Sequence, residues 1–201
     1  MTQGLEMATI PSIKGSLLQM LVWQIEELLD AGSLTRSEFE SLLEPGDLAV
    51  LDFPIVASGW YPVGTHNRLA EILLEYRWQG RVEDMRAQAL EVGEEFISHK
   101  AYAGYLQQAA RQEERAGEII TDLSRLVFNF SRWHFIGSLH ESWRIEVREA
   151  AAFSDAVLIL FEAFFEQVFS SLLDAPVAVS SHRPEPDRIV FHGKCGDAPS
   201  Q

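Results

Sequence analysis

The segment "SDAVLILFEAFFEQVFSSLL", residues 154–173, constrains the fold of this chain more than any other stretch. Val157, Leu158, Leu160, Phe161, Phe164, Phe165, Val168, Phe169 and Leu172 recur at helical spacing, and Ser154 stands where a helix cap belongs. The apolar arc is wider than contact with one face of a sheet needs, so a second layer has to cover the rest. The surplus is expected to enter a core beneath further helices, failing that a dimer interface, and failing that a ligand cavity.

The flanks of this helix are strand-like. "SWRIEVREA" (142–150) alternates Trp143, Ile145 and Val147 with Arg144, Glu146 and Arg148, the mark of a half-buried strand. "PVAVSSH" and "RIVFHGK" read as two short strands around the turn Arg183-Pro184-Glu185-Pro186-Asp187. Upstream the pattern is helical. Residues 15–31 carry Leu18, Leu21, Val22, Ile25, Leu28 and Leu29 on one side, with Gly32 as the stop. Thr35-Arg36-Ser37-Glu38 is a capping box opening a short helix to about Leu43, ended by Pro45-Gly46. Residues 47–64 read as a connector, and Thr65 as the cap of a helix to about Trp78 that Gly80 ends. Residues 82–112 are helical, with interruptions expected near Gly93 and around 98–100.

Residues 116–136 fit a 3.6-residue period through Ile119, Ile120, Leu123, Leu126, Val127, Phe130, Trp133 and His134, and are read as one long helix stopped by Gly137. Phe128 and Phe130 with their β-branched neighbours would also suit a strand. The expectation is α+β: an N-terminal helical layer packed on a C-terminal strand-helix-strand-strand unit with a small antiparallel sheet. One domain spans 1–201, divided into a mainly helical part (1–137), a strand-helix-hairpin part (138–195) and a flexible tail (196–201).

Charge narrows the partners. Sixteen basic against 30 acidic residues give a net charge of −14, which disfavours nucleic acid and anionic membrane surfaces. The apolar segment around Phe164 is interrupted by Glu162 and Glu166 and is read as too short to span a bilayer. The single cysteine, Cys195, can form no internal disulfide, and no basic stretch precedes an apolar core at the N-terminus. A soluble cytoplasmic protein is expected.

Few residues suggest chemistry. Trp60-Tyr61-Pro62 reads as a packed anchor that fastens the following helix, against the alternative of a pocket rim. His66 is expected near the surface at the helix start, and His134 on the inner stripe of the long helix as a hydrogen-bonded core histidine. His182, His192 and Cys195 have partial metal-ligand spacing but no fourth ligand, so no metal is expected. Phosphate loops, nucleophile elbows and dinucleotide fingerprints are absent, and "RQEERAGE" (111–118) reads as a solvated face.

"IKGSLLQML" (13–21), "SGWYPV" (58–63) and "RPEPDRIVF" (183–191) together resemble a bacterial family of unknown function with many paralogues in myxobacteria, which implies a fold but no reaction. More distantly, the order helices, strand, amphipathic helix, hairpin is similar to the haem-based nitric-oxide-sensing domain and the related vinyl-reductase-type small-ligand domain. The haem sensors grip the propionates with Tyr-x-Ser-x-Arg on the strand before the apolar helix. The matching Arg144-Ile145-Glu146-Val147-Arg148 keeps only Arg148 and sets Glu146 against a propionate, so haem is not carried over and no cofactor is expected.

Two functional readings follow. The first is a non-enzymatic regulatory or adaptor domain, homodimeric or bound to a protein partner through Phe161, Phe164, Phe165 and Phe169. The alternative is a sensor that holds a small apolar ligand between helical layer and sheet, lined by Trp133, His134, Trp143 and Phe164. An enzyme rests only on the vinyl-reductase-type similarity.

Overall fold

A computed structural model describes residues 10–98 and 100–196, and of residues 92–98, 100–103 and 113 the backbone alone. The predicted tail beyond Gly196 and the N-terminal segment read for a signal therefore lie outside the described residues, as does position 99 within the expected break at 98–100.

Strands β3 (Arg132–Gly137), β4 (Ser142–Arg148), β5 (Val177–Glu185) and β6 (Arg188–Cys195) form a four-stranded antiparallel sheet in the order β3-β4-β6-β5. Helix α9 (Asp155–Leu173) links β4 to β5 and lies on one face of this sheet. Period-2 alternation sends Ile145, Val147, Ile189 and Phe191 to that face, all fully buried. Phe165 and Phe169 of α9 descend between them; Phe165 meets Phe191 at 5.3 Å and Phe169 meets Trp143 edge-on at 4.6 Å between ring centroids. Gly193 is required here, because a Cβ at that position would stand 1.9 Å from the Trp143 indole.

The helical layer covers the other side of α9. It comprises α1 (Gly15–Asp30), α2 (Arg36–Ser41), α3 (Pro45–Leu51), α4 (Val63–Tyr76), α5 (Val82–Ser98), α6 (Lys100–Arg111), α7 (Ala116–Asp122) and α8 (Ser124–Val127). The Thr35–Glu38 capping box forms as the sequence indicates, and Gly32 ends α1 with φ +68°. Arg86 on α5 clamps the layers together: it pairs with Glu162 (2.5 Å) and Glu166 of α9 and donates to the Val179 carbonyl of β5 (3.0 Å). The α+β architecture is thus the expected one.

Several local expectations are corrected. Residues 116–136 are not one helix: α8 ends at Val127, Phe128 is extended, and Arg132–Gly137 is the edge strand of the sheet. The apparent helical period there was the sum of two buried patterns on adjacent elements. The sheet therefore takes in residues 132–137 from the part expected to be helical. The connector 47–64 contains the end of α3, whose Pro45 stands in the first turn, and a short strand β2 (Trp60–Pro62). Pro62, not Thr65, precedes α4. Thr65 instead donates its hydroxyl to Asp47 (2.6 Å), which also binds Arg68 and the Glu44 amide. Burial alone would raise the Asp47 carboxyl, but the hydrogen bonds from Arg68, Thr65 and Glu44 outweigh it and hold the group below the usual aspartate range. Helix α5 runs through Gly93 without a break.

Candidate functional site

Trp60-Tyr61-Pro62 forms β2, which pairs with β1 (Ser12–Lys14) just ahead of α1. The Tyr61 hydroxyl accepts from the Val56 amide (2.8 Å), and Lys14 lies 3.9 Å over the exposed Trp60 ring. The ladder thus joins the starts of α1 and α4, two of the helices that wall the cavity described next.

A cavity of about 140 Å³ lies between the helical layer and α9. Its walls come from α1 (Leu17, Met20, Leu21, Gln24), α4 (His66), α5 (Met85, Gln88, Ala89), the α7–α8 segment with Ser124, and Phe161 and Phe164 of α9, with Phe128 and Trp133 at the sheet end. None of the lining residues is a lysine, arginine, aspartate or glutamate. A volume near 150 Å³ bounded by apolar side chains is enough to take up benzene.

Polar lining atoms fall into two groups. Gln88 accepts from Arg77 (3.0 Å), and the Thr121 hydroxyl donates to the Gly117 and Glu118 carbonyls (3.0 and 2.9 Å), so both serve the fold. By contrast, Gln24 Oε1, His66 Nδ1 and Ser124 Oγ are buried and find no hydrogen-bond partner among the described residues. Three such atoms from three helices around one small apolar space are unusual, since buried polar groups are nearly always paired. His66, expected near the surface, is 5% exposed and part of this wall. Burial pushes its imidazole down to about pH 4, so at neutral pH the ring is uncharged and Nδ1 either donates or accepts according to tautomer.

The predicted residues are distributed differently from expectation. Trp133 and Phe164 line the cavity together. His134 does not: strand alternation turns it to the exposed outer face of β3, which corrects its placement on a helical inner stripe. Trp143 is buried in the sheet core against Phe169, away from the cavity. Of the phenylalanines expected at an interface, Phe165 and Phe169 are 3% and 0% exposed, and Phe161 and Phe164 turn into the cavity wall. His182 and His192 stack at 5.2 Å on the outer sheet face, whereas Cys195 follows the opposite strand parity. No group of three potential metal ligands occurs among the described residues.

No protein-family model and no curated protein matches the chain, so the resemblance to the myxobacterial family finds no support. Solved structures show the fold instead: the chain shares its α+β architecture with H-NOX domains. A mutant of T. Tengcongensis H-NOX superposes with a TM-score of 0.60 at 13% identity, covering 94% of this chain and 100% of that one. Fe(II) unliganded H-NOX from K. algicida gives 0.58 at 9% identity over 94% and 100% of the two chains. The S. oneidensis H-NOX in its Fe(II)NO ligation state gives 0.56 at 11% identity, over 92% and 100%.

The described residues do not fit a haem. The counterpart segment Arg144–Arg148 directs Arg144, Glu146 and Arg148 to the outer sheet face, where Glu146 accepts from Arg144 and Arg188 at 3.1 and 3.2 Å. Phe128-Asn129-Phe130-Ser131-Arg132 at the head of β3 repeats the Tyr-x-Ser-x-Arg spacing, with phenylalanine in both polar positions and Arg132 exposed and paired with Glu149 (3.0 Å). Phe128 stacks on Trp133 at 5.6 Å and meets Phe161 edge-on at 5.6 Å, so aromatic side chains occupy this end of the site. The described residues put no cation in the wall and leave space suited to one ring, so they offer a tetrapyrrole dicarboxylate neither room nor counter-charge.

Proposed function

We propose that this chain is a ligand-sensing domain whose cavity binds one small, uncharged, largely apolar molecule carrying a hydrogen-bonding group. The observation that carries this reading is the set of three polar atoms, Gln24 Oε1, His66 Nδ1 and Ser124 Oγ, that lack a partner among the described residues in a largely apolar wall. A hydroxyl or ring N–H can donate to Gln24 Oε1 and exchange hydrogen bonds with the neutral His66 or with Ser124. A carboxylate is disfavoured, since its charge would be buried with no cation beside it. Occupancy is read through α5 and α9, which both contribute to the wall, pack on one another and are tied by Arg86 to Glu162 and Glu166. The sensor reading agrees with the fold class better than an adaptor acting through the α9 phenylalanines.

The test is thermal unfolding with phenol, indole, benzene and benzoate as probes. Ligand at a hundred times its Kd stabilises the native state by about 2.7 kcal/mol, which raises the melting temperature of a domain this size by roughly 5–10 °C. Phenol or indole should produce the rise, benzene a smaller one, and benzoate none. A panel without any stabilisation would sink the proposal.

A further inference from the structure

The cavity uses one side of the sheet region, and the opposite face of the same sheet carries an unrelated feature. Five of the chain's 16 basic residues (Arg132, Arg144, Arg148, Arg188, Lys194) project from this face, together with two of its 30 acidic ones, Glu146 and Glu185. His134, His182 and His192 stand among them, all exposed. On a protein of net charge −14, the open face of the four-stranded sheet is cationic.

Register sharpens the point. Arg132 is opposite Arg148, and Arg148 is opposite Arg188, so three guanidiniums form a row across three strands. Like charges directly opposed in a sheet oppose folding. Relief comes from Glu146, which takes Arg144 at 3.1 Å, Arg188 at 3.2 Å and Arg148 at 3.9 Å, and from Glu149 just beyond β4, which takes Arg132 at 3.0 Å. Glu185 reaches Arg188 only at 3.9 Å. Five cations thus face three carboxylates, Glu146, Glu149 and Glu185, and the unbalanced charge is a cost that an external anion would offset.

We infer that this face docks an acidic amphipathic helix of a partner protein. Adjacent strands are about 4.8 Å apart, close to the roughly 5–6 Å between side chains three or four apart on a helix. A helix laid across β3, β4 and β6 thus brings one carboxylate per turn to Arg132, Arg148 and Arg188 in succession. A nucleic-acid backbone suits the surface less well. It extends beyond this face and meets the strong negative field of the rest of the molecule, whereas a short helix interacts within the Debye length of about 8–10 Å. The inference stands apart from the cavity reading and needs no ligand.

The experiment uses the full chain and a fluorescein-labelled 16-residue alanine-based peptide with glutamates at i, i+4, i+7 and i+11. Anisotropy titrations at 50 mM NaCl compare the protein with its R132Q/R148Q double variant. Both arginines are more than two-thirds exposed, so the variant should keep the parent melting temperature. The expected result is a Kd about tenfold weaker in the variant, and weaker again for both proteins at 300 mM NaCl. Absence of binding to the parent would overturn the proposal, as would equal affinity in the two proteins. Tighter binding of a 16-nucleotide single strand than of the peptide would also overturn it. So would sedimentation showing that R132Q/R148Q dissociates a self-associated parent, because the occupant would then be a second copy of the chain.

Discussion

Replacing His66 with leucine tests the buried, neutral imidazole directly. The unfolded chain titrates this group near pH 6.5, and burial lowers it to about 4 in the native state. The folded pKa is depressed for a base, so the unfolded state binds the proton first as pH falls. Stability is therefore present above pH 6.5 and is lost progressively between 6.5 and 4. Integrating the two titrations from pH 7 to pH 5 gives a loss of about 2 kcal/mol from this residue alone. Asp47 does not intrude in that window: its carboxyl is held below the usual range, so its contribution is present above the ordinary aspartate value and is lost only as pH falls below about 4. His66→Leu is close in volume and removes one unpaired buried polar atom, so at pH 7 the variant should be as stable as the parent or up to roughly 2 kcal/mol more stable. Urea unfolding of both proteins at pH 7 and pH 5 gives the decisive quantity, the parent's loss minus the variant's loss, in which the other histidines cancel. Its expected value is about 2 kcal/mol. Parallel losses in the two proteins would refute the reasoning, because they would mean that His66 is solvated or paired in solution.

Further predictions rest on other features. Gln24→Leu and Ser124→Ala should leave stability equal or slightly raised while narrowing the preference for phenol over benzene, measured by paired titrations of each variant. Gly193→Ala pushes a methyl into the Trp143 indole and should cost about 1–3 kcal/mol in urea unfolding. Asp47→Ala strips Arg68 and Thr65 of their shared acceptor and should cost roughly 3–5 kcal/mol at pH 7, measured the same way. Purified protein mixed with haemin should show the absorption spectrum of haemin in buffer; a sharpened, shifted Soret band that persists through gel filtration would contradict the poor fit of the wall to a propionate-bearing ring.

The sequence was most legible where one element carries one periodicity. Strand β4 alternates cleanly and formed where the pattern put it, and the β5–β6 hairpin also formed, although β5 continues through Glu185, past a register shift, into residues read as the turn. Residues 116–136 failed because two short helices and a strand happen to place Ile120, Val127, Phe130 and Trp133 near a helical phase, and a period count cannot see the extended break at Phe128. That error moved His134 from the outer sheet face to an imagined inner stripe. The cavity's polar atoms were missed for a different reason, although their signal was present. Gln24 falls at the phase of Leu21 and Leu28 on α1, His66 at that of Leu69, Ala70 and Leu73 on α4, and Ser124 at that of Ile120 and Val127. A polar residue on an apolar stripe either meets a partner across the interior or is kept for something from outside, and only the fold tells these apart. Thr65 is of the first kind, with Asp47 as its partner; Gln24 Oε1, His66 Nδ1 and Ser124 Oγ find no such partner among the described residues, which is what the proposed function builds on.

The width of the apolar arc on α9 now has a physical account. Phe165 and Phe169 meet the sheet, as a helix on a sheet requires, and are almost fully buried. Leu160, Phe161 and Phe164 extend the arc beyond that contact and face the cavity. By length and composition α9 would also suffice to cross a bilayer, with a mean hydropathy of 1.7 over 18 residues. Yet its carboxylates have defined work inside the fold: Glu162 accepts from the Ser181 amide at 2.6 Å while binding Arg86, and Glu166 binds the same arginine. Those acidic residues fix α5 against α9 beside the surplus phenylalanines. The packing of α5 on α9 is thereby fixed by an ionic clamp, and Phe161 and Phe164 stand beside it in the pocket wall. Clamp and pocket form one design, so loosening Arg86 should change ligand affinity as well as stability.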